Sequence, residues 1–335
     1  MMGKNDTGIE NVTMKRAVSK AAMFAERAVF FYKLNMEKAK QAKKEHVYYF
    51  YPSMEITTKI GCLNCEYCPQ DSLVKNYRSS YEGSAKLVET MTMANFMKCV
   101  NKLPKKSHID FAGMGEPFLN SECVDMICYA DMRGHKISLF TTLIGVQPKT
   151  FEKIMDIPFL NIVLHIPDNC GNLNIRVTDD YLNVLDLFLK HRRTNGNPFV
   201  TGISCHGYPE KQVAARLKGH GFRKIRPDVI YDRAGNLRAA DSIKSAYVEP
   251  PFFCAVSMHY NHNVLLPDGR VVLCCMDFSL KHIIGNLLEE SYQEIMRGTK
   301  MRSIIEAGRS NIKQDILCIR CNACIAYRKV QTLLI

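Results

Sequence analysis

The chain has 335 residues, which suits one catalytic domain with a smaller appendage, and 47% of them are hydrophobic, enough for a buried core. No apolar run of about 18 residues is present, so a membrane-spanning helix is excluded. The net charge of +12 favours an anionic partner, and fourteen cysteines without a signal peptide indicate a reducing compartment, the cytoplasm, in which thiols stay free or bind metal.

The N-terminal part, residues 1–47, is predicted to be a basic helical extension. Apolar residues recur there at intervals of three and four from position 12 to position 45, as they do on one face of a helix, and lysines dominate the later turns. Packing of this helix on the main domain is the simplest interpretation. A membrane-surface helix or a partner-docking arm remains an alternative.

Strand and helix patterns then alternate six times within residues 48–232, which we assign to a catalytic domain. The predicted strands are 53–58, 108–112, 136–141, 161–166, 199–205 and 223–230. Such alternation implies a parallel sheet with crossover helices, in which ligands bind at the carboxyl ends of the strands. Alternation alone does not distinguish an open sheet from a barrel.

Three cysteines follow the first predicted strand. Cys62, Cys65 and Cys68 have two residues between each neighbouring pair, and no fourth Cys or His lies near them. Thiolates this close can converge on one metal centre. A structural zinc site needs four ligands, whereas three thiolates on a four-iron cluster leave one iron open for a small molecule.

The second predicted strand ends in the run Gly113-Met114-Gly115-Glu116-Pro117. Glycines let the backbone approach a ligand closely, and the carboxylate that follows can accept hydrogen bonds from an amine. A plain turn would explain this run if it stood alone. Its place at the end of the strand after the cysteine loop makes it a candidate binding site.

Together the two motifs resemble those of the radical S-adenosylmethionine (SAM) enzymes. The Cys65-Glu66-Tyr67-Cys68 half matches well, whereas the spacing from Cys62 to Cys65 is one residue shorter than in the family. Either Cys62 is still a ligand or its displacement weakens the cluster. The resemblance implies a partial (β/α)6 barrel of the TIM type, a [4Fe-4S] cluster on the three cysteines, and SAM held by residues 113–116.

Polar residues end the next strands. By the same resemblance, Thr141 and Thr142 are expected on or beside the ribose of SAM. His165, at the end of the fourth predicted strand, would face the substrate, as would Asp168. A histidine in an apolar strand is also commonly a hydrogen-bonded core residue, so both roles stay open for His165.

The C-terminal part, residues 233–335, carries a second set of cysteines: Cys254, Cys274, Cys275, Cys318, Cys321 and Cys324. Asp268-Gly269 between two apolar runs predicts a hairpin that brings Cys254 and Cys274 to the same end. The layout resembles the auxiliary-cluster extensions of radical SAM enzymes. That resemblance implies a second [4Fe-4S] cluster on Cys254, Cys274, Cys318 and Cys321, in the shorter form called twitch rather than the full SPASM form.

Zinc is the competing ligand for four cysteines. Cys275 and Cys324 do not belong to the predicted set of four ligands. Either residue could be a spare ligand, a hydrogen-atom donor or a packed thiol.

The motifs together predict a radical SAM oxidoreductase that abstracts hydrogen from a small, anionic, sugar-derived molecule and oxidises a sugar- or cyclitol-like alcohol, with flavodoxin or ferredoxin as reductant. His165 and Cys275 are the candidate catalytic side chains. A peptide- or protein-modifying maturase and a sugar epimerase are the alternatives within the family. Outside the radical SAM family, the alternative is a zinc-binding module that binds nucleic acid. The strand–helix alternation argues against that module, so nucleic acid is not expected as a partner.

Overall fold

The computed structural model describes residues 52–81, 86–238, 242–257, 259–310 and 315–326. The predicted N-terminal helix therefore lies outside the described residues. Within those five ranges, no helix is long and apolar enough to cross a bilayer.

A single large sheet organises the described part of the chain. Its eight strands stand in the order β5-β4-β3-β2-β1-β7-β8-β9, parallel from β5 to β7 and antiparallel from β7 to β9. The strands are β1 (Ser53–Ile56), β2 (His108–Phe111), β3 (Lys136–Thr141), β4 (Asn161–His165), β5 (Gly202–Ser204), β7 (His262–Leu265), β8 (Arg270–Val272) and β9 (Ile283–Asn286). The predicted parallel sheet with crossover helices is confirmed.

The sixth parallel strand is not the one that the sequence predicts. Residues 223–230 form no strand, because Pro227 removes one amide donor and the segment keeps only isolated backbone bonds such as Asp228 N to Cys205 O at 2.6 Å. The sixth position is taken by β7, which pairs in parallel with β1 on its other side. The C-terminal part of the chain thus extends the barrel sheet.

Helices cover the outer side of this sheet. In the described part of the chain they are α1 (Gln70–Ser79), α2 (Met93–Val100), α3 (Cys123–Met132), α4 (Pro148–Ile154), α5 (Asp179–Lys190), α6 (Lys211–Gly219), α7 (Tyr292–Arg297) and α8 (Thr299–Arg309). The helix α1 was missed, since the polar residues after the third cysteine predict a loop. It forms because Leu73 and Tyr77, one turn apart, bury the same face.

The barrel strands alternate strictly between two environments. Met54 and Ile56 of β1 are fully buried in the core beneath the helices, whereas Glu55 between them points to the inside of the barrel, where it lines a cavity. The same alternation in β2 buries Ile109 and sends Asp110 inward. These two carboxylates therefore place acidic groups on the wall of the cavity inside the barrel.

The C-terminal segment forms a hairpin and a small second sheet. The predicted hairpin is confirmed, with Leu265 opposite Val271 and a turn at Gly269 whose φ of +86° suits glycine. The second sheet pairs β6 (Phe252–Cys254) with β10 (Cys324–Ala326) in antiparallel register. Arg270 ties the hairpin to α1, because its guanidinium lies 4.8 Å from the centre of the Tyr77 ring.

Candidate active site

The cysteine loop places its three thiols on one cavity. Cys62, Cys65 and Cys68 all line it, although Cys62 stands one residue closer to Cys65 than in the related motif. The backbone bends on both sides of Cys62: Gly61 has a φ of +82° and Asn64 a φ of +49°. Asparagine is among the residues that tolerate this left-handed conformation, so the short loop turns its first thiol inward at little cost.

Burial keeps these thiols protonated in the absence of metal. It raises the pKa of Cys62 to about 12 and that of Cys68 to about 11. A metal centre binds thiolates, so its assembly on this loop releases protons.

The glycine turn packs directly on the base of the cysteine loop. A Cβ atom on Gly113 would lie 2.5 Å from the Thr57 hydroxyl, and one on Gly115 would lie 2.7 Å from the Lys59 carbonyl oxygen. The Met114 amide donates to the Thr57 hydroxyl at 3.0 Å. Both glycines are thus required by the close approach of two strand ends, and the turn is fixed relative to the cysteines.

Glu116 is the best-held carboxylate of the site. It is 3% exposed and accepts four hydrogen bonds near 2.7–3.3 Å, from the Thr141 hydroxyl, the Thr142 hydroxyl and amide, and the Phe118 amide. Burial raises the pKa of Glu116, and these hydrogen bonds oppose that rise. The predicted Thr141 and Thr142 therefore orient Glu116, while their contact with a ribose remains a prediction.

The cavity has a volume of about 290 Å³, at the lower end of the range for small-molecule sites. It brings together the three cysteines, residues 113–116, Thr141, Thr142, His165 and Cys275, whereas Asp168 does not line it. Burial, together with the nearby His206 and Arg233, lowers the pKa of His165 to about 4. His165 is therefore neutral at physiological pH.

A polar cluster that the sequence reasoning missed also lines the cavity. His262 Nε2 lies 2.9 Å from Glu55 and 3.9 Å from Asp110, and the Ser53 hydroxyl donates to Asp110. Burial alone would lower the pKa of His262, but the two carboxylates outweigh it and raise that pKa. The signal for these residues was the alternation of polar and apolar residues in β1 and β2, since strands buried on both faces normally read as continuous apolar runs.

Asp168 organises a loop and is not among the residues that line the cavity. Its carboxylate accepts bonds from the amides of Cys170, Asn172 and Leu173 at 2.8–3.2 Å. The Asn172 carbonyl in turn accepts from the Glu66 amide at 2.9 Å. The loop 169–174 is thereby held against the cysteine loop.

The C-terminal cysteines form a second group. Cys324 stands directly opposite Cys254 in the β6–β10 pair, and the neighbouring thiols of Cys254, Cys318 and Cys321 raise the pKa of Cys324. Cys324, which the sequence left outside the predicted set, thus contacts three of the four predicted ligands. The pKa of the fourth, Cys274, is raised by desolvation and by the nearby thiols of Cys275, Cys318 and Cys321, which places Cys274 beside this group.

The arrangement of these thiols bears on the kind of metal centre. Across the described ranges, no three His, Cys, Asp or Glu side chains surround a point at the spacing of a single metal ion. Cys254 and Cys324 are nevertheless cross-strand neighbours. Four or more thiolates suit an iron–sulfur cluster, and zinc competes for the same donors.

Adjacent residues connect the two groups. Cys275 lines the cavity together with Glu55, whereas Cys274 lies beside the second group. Asp277, two residues later, accepts from the Ser279 hydroxyl at 2.9 Å and from the His282 amide at 2.7 Å, which fixes the turn. The C-terminal segment therefore closes one side of the cavity and holds its own cysteines behind it.

Comparison with known proteins supports both halves of this description. Residues 254–324 match SPASM, an iron–sulfur cluster-binding domain. No curated protein sequence matches the chain significantly. The match extends from Cys254 to Cys324, so the prediction of an auxiliary iron–sulfur centre is confirmed.

Solved structures share the fold at low sequence identity. The crystal structure of BtrN in complex with AdoMet and 2-DOIA has a TM-score of 0.53 and 15% identity, over 83% of this chain and 94% of BtrN. Streptococcus suis SuiB bound to precursor peptide SuiA has a TM-score of 0.53 and 10% identity, over 87% of this chain and 74% of SuiB. The predicted partial barrel with a C-terminal extension is confirmed.

Proposed function

We propose that this chain, which has the fold of radical SAM enzymes with a SPASM-type extension, is itself a radical SAM enzyme that abstracts hydrogen from a small substrate. The observation that carries the proposal is the shared cavity: Cys62, Cys65 and Cys68 line it together with the Gly113–Glu116 turn. When bound, the cluster on these cysteines and SAM supply a 5′-deoxyadenosyl radical, and the auxiliary cluster supplies an electron acceptor.

Different residues of the cavity would bind different parts of SAM. Glu116 would accept from the methionyl ammonium of SAM, and the Gly113–Gly115 backbone lets SAM approach closely. Thr141 and Thr142 keep the Glu116 carboxylate in a single orientation by donating three hydrogen bonds to it. Because Glu116 is buried, its interaction with a cation is stronger than it would be in water.

We further propose that the substrate is a sugar- or cyclitol-like alcohol that is oxidised to a ketone. After loss of a hydrogen atom, the substrate must also lose one proton and one electron. Two groups that line the cavity could accept the proton: His165, and the carboxylates of Glu55 and Asp110 beside His262. The coverage of BtrN supports a small-molecule substrate: this chain spans 94% of BtrN but only 74% of SuiB, which was solved with a peptide.

Epimerisation is the second candidate, and Cys275 favours it. Its thiol lies in the same cavity as the three cluster cysteines and could return a hydrogen atom to the substrate carbon. Solvent deuterium would then be retained at that carbon, whereas an oxidised product would not carry it.

The test is formation of 5′-deoxyadenosine by the protein reconstituted without oxygen, with SAM and a strong reductant. We expect the nucleoside from the wild type and none from Cys65→Ala. Cys128→Ala is the matched control, since Cys128 lies on α3 and does not line the cavity. Zinc without labile sulfide, or no nucleoside from a fully loaded wild type, would refute the proposal.

A further inference from the structure

Gln70 occupies an unusual position between the two motifs of the cavity. It is the first residue of α1, two residues after Cys68, and only 3% of it is exposed. Its amide nitrogen donates to the Cys68 sulfur at 3.2 Å and to the Met114 carbonyl at 2.7 Å. An amide has two N–H donors, so both bonds form at once.

The orientation of this amide is determined by its surroundings. The Met114 carbonyl can only accept, so it requires the nitrogen of Gln70 on its side and excludes the flipped amide. The Gln70 oxygen is then buried without a hydrogen-bond partner among the described residues. A buried acceptor left unpaired destabilises the fold, and an apolar side chain of similar size would avoid that cost. Stability of the fold therefore does not explain glutamine at this position.

A donor at a cluster-bearing sulfur has an electrostatic consequence. Hydrogen bonds to the sulfurs of an iron–sulfur cluster are among the factors that set its reduction potential. A one-electron reduction adds negative charge that is shared with the cysteine sulfurs. The Gln70 N–H bond therefore stabilises the reduced form more than the oxidised form, and raises the potential.

We propose that Gln70 is a positioning residue that raises the reduction potential of the cluster on Cys62, Cys65 and Cys68 and holds the Met114 turn in register with it. The inference rests on the proposed function. Through its two bonds Gln70 links the sulfur of the third cluster ligand to the middle of the glycine turn. The electron comes from an external low-potential reductant such as dithionite.

The experiment compares Gln70→Leu and Gln70→Glu with the wild type in the reconstituted full-length protein. The midpoint potential of the cluster is followed by EPR-monitored redox titration, and SAM affinity by calorimetry. We expect a more negative potential and weaker SAM binding in Gln70→Leu. The shift should be larger in Gln70→Glu, which replaces the donor by an acceptor. Asn76→Leu is the control on the same helix, since among the described residues the Asn76 side chain bonds to Ser72 alone and does not line the cavity.

A wild-type potential and wild-type SAM affinity in a fully loaded Gln70→Leu protein would overturn the inference. If that variant fails to retain its cluster, Gln70→Glu, which has the same shape, carries the test with the same two readouts. The proposed function fails separately, when the wild type itself forms no cluster or no 5′-deoxyadenosine.

Discussion

The two cysteine groups of this chain differ in what surrounds their sulfur atoms. Cys62, Cys65 and Cys68 line a cavity next to a glycine turn and a buried carboxylate. Cys254 and Cys324, in contrast, are cross-strand neighbours. In the described part of the chain, none of Cys254, Cys274, Cys318, Cys321 and Cys324 lines that cavity. Three thiols beside open space suit a centre that binds a ligand, and a group of thiols in mutual contact suits a closed centre.

The largest expected effect is a difference in SAM cleavage between variants of the two cysteine groups. Cys68→Ala should abolish 5′-deoxyadenosine formation and remove the iron of one cluster, because it leaves only two of the three predicted ligands. Cys318→Ala should remove the iron of the other cluster and leave SAM cleavage measurable. Iron, sulfide and nucleoside assays on both variants make the comparison. Loss of cleavage in Cys318→Ala with its first cluster intact would mean that the groups are not independent.

A second expected effect is a difference in iron content between variants of the adjacent residues Cys274 and Cys275. Cys274→Ser should lower the iron content of the auxiliary centre, whereas Cys275→Ser should not, because the two thiols point to different sites. Cys324→Ser should behave like Cys274→Ser if its contacts with Cys254, Cys318 and Cys321 reflect ligation. Iron and sulfide content is measured on the three purified variants. A full complement of iron in Cys324→Ser would mean that Cys324 is a packed thiol and not a ligand.

A third effect concerns the ligand that only the first group should bind. Glu116→Gln keeps the shape of the side chain but removes a buried charge that we expect to face the SAM ammonium. A hydrogen bond to a charged group contributes about 1.5–3 kcal/mol, so the SAM dissociation constant should rise by about 10-fold to 150-fold. Calorimetry with SAM measures it, with circular dichroism to verify the fold. An unchanged dissociation constant would remove Glu116 from the SAM site.

The smallest effect tests how the cavity is built. Gly115→Ala should lower the free energy of unfolding by about 1–3 kcal/mol, because its Cβ would lie 2.7 Å from the Lys59 carbonyl oxygen. Gly219→Ala is the matched control: no atom lies within 4 Å of its Cβ, and we expect a gain of about 0.4–1 kcal/mol. Urea unfolding of both variants gives the values. Equal stability of the two variants would show that the turn relaxes away from Lys59.

Much of the barrel could be read from the sequence because its elements carry strong periodic patterns. The strand β3 was predicted with its observed bounds, and the residues of both motifs meet in one cavity as expected. The prediction of the sixth strand was wrong because strand pairing depends on residues far apart in the sequence. The strand β7 pairs with β1 in the place expected for residues 223–230, and no local sequence pattern indicates this.

The parts of the site that the sequence did not reveal depend on packing between distant segments. Glu55 and His262 are separated by more than 200 positions and meet only because β1 pairs with β7. Arg233 and Gln70 line the cavity from a loop and a helix start that carry no motif. The contact of Cys324 with Cys254 required the β6–β10 register, which the three closely spaced C-terminal cysteines do not encode by themselves.

The most direct test of the contrast between an open and a closed centre is EPR spectroscopy of the reduced, fully loaded protein with and without SAM. Cys318→Ala isolates the first cluster, and Cys68→Ala isolates the second. The account predicts that SAM changes the signal of Cys318→Ala and leaves that of Cys68→Ala unchanged. A signal that SAM changes in Cys68→Ala, or leaves unchanged in Cys318→Ala, would contradict it.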